Sequence, residues 1–324
     1  MLILSKNEIG KLVTIQEIIP VMEKVFADYT MGKTIVPIRT KIPIDKHNGN
    51  ILFMPALIPE SGGLGVKVVS VYPENAKKGR QTIYSILMLN DMETGEPLAL
   101  MDAELLTAIR TGAVSGVAAK HLARDDSKVV SIFGAGVQAK TQLEAICAVR
   151  DIERVYVFNR SADKRKRFIE DMSGRLGIQL LEGTNEKLAL GQSDIIITAT
   201  TSNTPVFNGG YVREGTFIAA VGGYTPAMQE VPEELVRRAA IIVDAYNASL
   251  KEAGDILIPM EKGIIGRDGI KGELGEVMLG KIKRESAEEI VFFKSVGLAI
   301  QDMSVAIEIY RKAVSMGMGI QVEI

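Results

Sequence analysis

The chain predicts an α/β protein in which a doubly wound parallel sheet is inserted into a second, α+β domain built on an antiparallel sheet. Three observations predict it. A G-x-G-x-x-A turn stands between a strand pattern and a helix pattern near position 134, and strand and helix patterns alternate from Ser127 onward. Before that point, short strand-like runs follow one another with turns between them. Alternation of strand and helix gives parallel strands joined by crossovers, whereas strands joined by short turns run antiparallel.

Residues 7–31 read as an opening helix, because Ile15, Ile18, Ile19, Met22, Val25, Phe26 and Tyr29 fall at helical spacing. Strand patterns follow at Ile35–Pro43, Gly49–Ala56, Gly63–Tyr72, Thr82–Asn90 and Leu98–Met101, and helical periodicity returns over Ala103–Leu122. The alternating part offers strands at Val129–Phe133, Val155–Asn159, Gln179–Leu181, Ile195–Thr200, Phe217–Ala220 and Ile241–Val243. Helices at Val137–Val149 and Ala162–Leu176 lie among the first three strands. A final helix, Val296–Ser315, and a short strand, Gly319–Glu323, are expected to rejoin the first domain. The expected division is 1–118 plus 300–324 for a substrate-binding domain and 119–299 for the inserted one, with a cleft between them.

Composition narrows the chemistry. The 324 residues are 47% apolar and 24% charged with a net charge of −2, a balance that gives no footing for nucleic acid. No apolar run reaches the roughly 18 residues of a membrane span. Met1–Glu8 lacks the charged start and apolar centre of a signal peptide, so a cytoplasmic enzyme is expected. One cysteine, Cys147, excludes an intrachain disulfide and a cysteine-cluster metal site. With two histidines, His47 in a turn pattern and His121 at a helix end, proton transfer falls to a lysine, a carboxylate, a tyrosine or water.

The turn itself is the strongest local signal. Gly134 permits the tight turn, Gly136 lets backbone approach a pyrophosphate, and Ala139 lets helix and strand pack closely. Val137 and Gln138 open the helix, whose free N–H groups suit phosphate. The pattern implies a Rossmann-type dinucleotide site.

The blocks Gly65-Val-Lys67-Val-Val-Ser, Met101-Asp102-Ala, Ile109-Arg110-Thr-Gly112-Ala, Gly134-Ala-Gly136-Val-Gln138-Ala and Gly297-Leu-Ala-Ile-Gln-Asp302 occur in order along nearly the whole chain. In them the chain resembles the ornithine cyclodeaminase/mu-crystallin family, which also contains archaeal-type alanine dehydrogenases and ketimine reductases. The resemblance implies a homodimer joined through the antiparallel domain and a small amino, imino or keto acid held against a bound nicotinamide. It implies that Arg39 binds the substrate carboxylate, a task suited to a guanidinium fork. Lys67 lies in the apolar strand Leu64–Val71. It either snorkels to water or is a desolvated ammonium of lowered pKa, and the resemblance places it in the substrate site as the first candidate for proton transfer. Thr82 and Arg110 match cofactor-contacting positions, and Ser295 and Val296 match positions beside nicotinamide and substrate. Thr200 ends the strand Ile195–Thr200, and Val221, Gly222 and Gly223 follow the strand at Phe217, so both would line the carboxyl edge of the parallel sheet, where ligands bind in such folds.

Two positions depart from the common pattern. The second strand of the inserted domain ends at Asn159, followed by Arg160, Ser161, Lys164 and Arg165, where an acidic residue would bind a ribose 2′-hydroxyl and repel a 2′-phosphate. NADP(H) is therefore favoured over NAD(H), the other reading being an ordinary exposed helix start. After the paired glycines, cyclodeaminases carry an aspartate general acid/base, and a cofactor-contacting lysine four residues later; here the positions hold Tyr224 and Met228. Tyr224 is either a proton donor or a cofactor-packing ring. The expected activity is hydride transfer between a nicotinamide and the α-carbon of a small amino or imino acid, with pyrroline-2-carboxylate or pyruvate plus ammonia as candidates. Ornithine cyclodeamination and NADPH-dependent small-molecule binding of the mu-crystallin type are the alternatives.

Overall fold

A computed structural model describes residues 1–323. The chain divides into two compact units, Met1–Arg110 together with the segment from Leu298 onward, and Thr111–Gly297. In chain order the first part holds β1 (Leu2–Leu4), α1 (Lys6–Leu12), α2 (Ile15–Thr30), β2 (Thr40–Ile44), β3 (Gly49–Ile58), β4 (Gly63–Val71), β5 (Ile83–Asn90), β6 (Pro97–Asp102) and α3 (Glu104–Leu122). There follow β7 (Val129–Phe133), α4 (Val137–Val149), β8 (Arg154–Phe158), α5 (Ala162–Leu176), β9 (Gln179–Glu182), α6 (Glu186–Gln192), β10 (Ile195–Thr198) and β11 (Phe217–Ala220). Then come α7 (Glu233–Arg238), β12 (Ala240–Val243), α8 (Tyr246–Glu252), α9 (Gly254–Glu261), β13 (Ile270–Glu273), α10 (Leu274–Met278) and β14 (Val291–Lys294). The chain closes with α11 (Ala299–Met316) and β15 (Ile320–Gln321).

The first unit is a sheet in the order β15-β1-β6-β5-β4-β3-β2 with α11 packed on β3, β4 and β5 and against α2. Strand alternation sends Met54, Ala56, Leu87 and Leu89 inward, and β4 contributes Gly63, Gly65 and Lys67 to the same buried face. Gly65 is required there: a Cβ would stand 2.1 Å from the Met88 carbonyl oxygen and 3.0 Å from Met303 Sδ of α11. Ile42, Tyr84 and Ile86 remain exposed on the sheet.

The expected antiparallel sheet is present with one exception, since β1 pairs parallel to β6. The predicted opening helix is two helices. Thr14 starts α2 with a capping box to Glu17, and such a cap contributes about 1 kcal/mol, enough to restart the helix after Val13 leaves it. The strand expected at Ile35–Pro43 is narrower and later, at Thr40–Ile44, with a single bridge from Ile35 to Leu57 before it.

The second unit is a wholly parallel sheet in the order β13-β12-β14-β11-β10-β7-β8-β9. Its middle strands are buried along their length, and Phe133, Ile196, Ile218, Val243 and Phe292 belong to one core cluster. From β7 the chain builds outward through β8 and β9, then returns to place β10 on the other side of β7. That reversal opens a crevice at the carboxyl ends of β7 and β10, the place where open parallel sheets bind ligands. Two strands of this sheet escaped the sequence reading, as did β1 of the first unit. β13 is short and polar, and β14 is a four-residue run ending in Lys294, although it lies in the middle of the sheet between β11 and β12. The final helix starts at Ala299, so Val296 belongs to the loop before it.

Candidate active site

The turn after β7 divides its glycines between two tasks. Gly134 has φ +119°, a region closed to ordinary side chains, and a Cβ there would lie 2.5 Å from the Ala199 carbonyl oxygen. The protein's own packing thus requires Gly134. Gly136, the N-cap of α4, is different: a Cβ placed on it would meet nothing within 4 Å. Its bareness leaves room beside the helix N-terminus, whose unpaired N–H groups suit an anionic pyrophosphate. Ala139 is fully buried one turn later, as close helix–strand packing demands. Gly134 and Gly136 border a pocket of about 1050 Å³ whose walls also include Val137, Asn159, Arg160, Ser161 and Thr200. The donors and the open cradle fit a dinucleotide. Gln138 does not line that pocket, and its side-chain oxygen is buried without a partner.

Beyond β8, Asn159 donates to the Ser161 carbonyl oxygen at 3.0 Å, and Ser161 caps α5 by accepting from the Lys164 N–H. Arg165 is committed to the Asn159 carbonyl oxygen and to Glu182. The exposed side chains of Arg160 and Lys164 line the pocket. Neither Asn159 nor its immediate followers place a carboxylate at this strand end.

The ends of β10, β11 and β14 are neighbours, and buried carboxylates organise them. The Glu230 carboxylate accepts from Thr200 N–H at 2.6 Å, Thr200 Oγ1 at 2.8 Å, Thr198 Oγ1 at 3.1 Å, Gly222 N–H at 2.8 Å and Gly223 N–H at 3.0 Å. Burial pushes its pKa up, against the pull of Lys294. Val221 donates its N–H to the Thr198 carbonyl oxygen at 3.0 Å. Asp244 accepts from Ser295 Oγ at 2.8 Å, from Val296 N–H at 2.8 Å and from Gly297 N–H at 2.7 Å, all on one oxygen. The Ser295 hydroxyl is therefore engaged within the protein. Tyr224 is half-buried, and burial raises the pKa of its phenol, so it stays protonated at neutral pH. Met228 is buried nearby in sequence. Sequence reasoning missed Glu230, Asp244, Asp255 and Lys294; an acid or lysine between apolar neighbours, as in Val291–Lys294, was the available signal.

In the first unit, β4 carries Lys67 to the face covered by α11. Its Nζ lies 2.7 Å from Asp302 Oδ1 and 3.4 Å from Thr107 Oγ1, which accepts its hydrogen bond. Arg110 donates from Nε to the same Asp302 oxygen at 3.0 Å and from its terminal nitrogen to Gln301. Lys67, Arg110 and Asp302 are all buried. Burial draws the Lys67 pKa down to about 8; Asp302 opposes that, while Arg110 and Arg39 add repulsion. Burial alone would lift the Asp302 carboxyl, but Arg110 and Lys67 outweigh it and hold it below the usual carboxylate range. Asp302 Oδ2 and Gln301 Nε2 are buried without partners. Arg39 stands just before β2, half-buried, and its charge reaches Lys67. Thr82 stands just before β5, with its carbonyl oxygen accepting from Tyr72 N–H at 2.7 Å. Asp302 was visible as an acid inside the apolar run Gly297–Ile307, yet its role as the counter-charge of Lys67 was not.

The sequence profile of the ornithine cyclodeaminase/mu-crystallin family matches residues 1–317. The chain belongs to that family. A Δ1-pyrroline-2-carboxylate reductase of Bacillus cereus is 43% identical over 325 residues, covering 100% of both chains. The solved structure of the Thermococcus litoralis Δ1-pyrroline-2-carboxylate reductase, in complex with NADH and L-proline, is 47% identical and superimposes with a TM-score of 0.96 over 99% of this chain and 100% of that one. An archaeal alanine dehydrogenase dimer with bound NAD is 37% identical, with a TM-score of 0.94 over 100% of this chain and 99% of that one.

Proposed function

We propose that this chain reduces the C=N bond of a small cyclic imino acid, Δ1-pyrroline-2-carboxylate first among candidates, with NADPH preferred to NADH. At the level of reaction class it is an NAD(P)-dependent oxidoreductase working at the α-carbon of a small amino or imino acid. The observation that carries the finer reading is Lys67, a buried ammonium with its pKa drawn down to about 8, in a chain matched end to end by two pyrroline-2-carboxylate reductases.

The Gly134–Val137 turn and the α4 N-terminus would hold the cofactor pyrophosphate, with Thr200 and Val221–Gly223 toward its nicotinamide half. A nicotinamide bound there would supply a hydride to the imine carbon. Arg39 offers a bidentate donor pair to the substrate carboxylate. Lys67, protonated at neutral pH and able to lose its proton, delivers that proton to the imine nitrogen, so hydride and proton together convert C=N to CH–NH. Asp302 holds the Lys67 ammonium, and Arg110 holds Asp302. Tyr224 is a second candidate proton donor, since its phenol remains protonated. Asn159, Arg160 and Lys164 favour the extra phosphate of NADPH, because no carboxylate opposes it. The exposed apolar residues Ile42, Tyr84 and Ile86 suit a homodimer joined through this sheet, and the archaeal relative is a dimer.

The test follows NADPH and NADH oxidation with pyrroline-2-carboxylate, its six-membered homologue, and pyruvate plus ammonia, alongside ornithine with NAD+. Fastest turnover with the five-membered imino acid is expected. No cofactor oxidation with any imino or keto acid, or proline and ammonia formed from ornithine, would overturn the reading.

A further inference from the structure

We infer that Glu230 is a positioning residue for the nicotinamide half of the cofactor site: its buried carboxylate locks the loop after β10 to the loop after β11. The inference rests on the reading that the nicotinamide lies along this edge of the sheet.

Glu230 follows β11 by ten residues and is completely buried. One oxygen accepts the Thr200 N–H and hydroxyl, and the other accepts the Thr198 hydroxyl and the N–H groups of Gly222 and Gly223. Every group facing the carboxylate donates. An amide of the same shape would turn two hydrogens toward donors, so the ionised carboxylate matches this nest and glutamine does not. The approach is close enough to need a bare backbone: a Cβ on Gly222 would lie 2.2 Å from the Thr200 carbonyl oxygen and 2.4 Å from Glu230 Oε1.

The clamp is itself anchored. Asp255, in the first turn of α9, accepts the backbone N–H groups of Glu230 at 2.6 Å and Val231 at 2.9 Å on one oxygen. Its other oxygen holds Lys294 Nζ at 2.8 Å, at the end of β14. A Glu–Asp–Lys chain thus ties the ends of three adjacent strands, β10, β11 and β14. None of these three side chains lines the large pocket. Glu230 therefore acts through Thr200, Gly222 and Gly223, by fixing where their backbone stands. Hydride transfer is sensitive to such placement, since an error of about 1 Å costs about a hundredfold in rate.

The experiment compares wild type, Glu230→Gln and the near-isosteric Thr198→Val, which removes one donor. Three quantities are measured on each: the dissociation constant of ADP-ribose, which lacks the nicotinamide; the fluorescence enhancement of bound NADH; and kcat with pyrroline-2-carboxylate. In Glu230→Gln, kcat is expected to fall at least about tenfold and the NADH enhancement to shrink, while ADP-ribose binding stays within about threefold. Thr198→Val is expected to move kcat and fluorescence the same way by about threefold or more. Equal loss of ADP-ribose and NADH binding would show a general collapse and overturn the inference, as would wild-type fluorescence and kcat in Glu230→Gln. If Glu230→Gln does not fold, wild-type values in Thr198→Val overturn it. A wild-type protein that reduces no imino acid would sink the proposed reaction alone, because ADP-ribose and NADH fluorescence still read the clamp.

Discussion

The Lys67 ammonium lies 2.7 Å from Asp302 Oδ1, and Arg110 Nε shares that oxygen at 3.0 Å. One buried carboxylate therefore serves two cations. Burial, with the leftover positive charge added to it, is why Lys67 sits at about 8 despite its partner. If Lys67 donates the proton, kcat/KM for imine reduction is flat at low pH and falls above pH about 8, as the ammonium is lost. Asp302 holds the ammonium on, so Asp302→Asn lowers the Lys67 pKa further and moves the falling limb to lower pH. Breaking a buried pair this way also costs about 3–5 kcal/mol of stability, which denaturant unfolding measures. A limb that stays in place in Asp302→Asn would remove Lys67 from proton transfer.

The task proposed for Arg39 is separable. A fork that binds the substrate carboxylate acts equally in ground and transition states, so its loss raises KM more than it lowers kcat. A hydrogen bond to a charged group contributes about 1.5–3 kcal/mol, so Arg39→Gln is expected to raise KM for the imino acid about 10- to 150-fold. The KM for NADPH is expected to remain unchanged. A rise confined to the cofactor KM would assign Arg39 elsewhere.

Asn159 offers a test of cofactor choice. Its side chain already bonds the Ser161 carbonyl oxygen, and Ser161 already caps α5, so these two groups also serve the local fold. The proposed preference for the 2′-phosphate would then come from Arg160 and Lys164 and from the missing carboxylate. Asn159→Asp restores that carboxylate and is expected to lower the NADPH-to-NADH ratio of kcat/KM at least about tenfold, through like-charge repulsion. An unchanged ratio would show that this strand end does not select the cofactor.

Local pattern carried most of the fold and part of the site. The G-x-G-x-x-A turn was legible because backbone sterics demand Gly134, and an open cradle at the helix start needs a bare Gly136. Lys67 was legible because a lysine inside Leu64–Val71 contradicts its apolar neighbours. β14 was not: four residues cannot be told from a helix fragment, and its central place in the sheet depends on pairing with the distant β11 and β12. The same holds for Asp302 and Glu230. Asp302 meets Lys67 across 235 positions of chain, and Glu230 meets the ends of two strands, so their partners come from topology and not from spacing.

Gly134 and Gly136 are expected to separate folding from binding within one turn. Gly134→Ala puts a Cβ at φ +119° and 2.5 Å from the Ala199 carbonyl oxygen, so the strand end must shift. Strain of this kind costs about 1–3 kcal/mol, which for a unit of this size lowers Tm by about 2–12 °C. Gly136→Val meets no protein atom within 4 Å of its Cβ, so Tm is expected to hold. Its side chain instead fills the space beside the α4 N-terminus, and the dissociation constant of ADP-ribose is expected to rise at least about tenfold, a loss of about 1.4 kcal/mol. Thermal unfolding and ADP-ribose titration of the two variants check the division. If Gly136→Val binds ADP-ribose as the wild type does, the pyrophosphate does not lie against this turn.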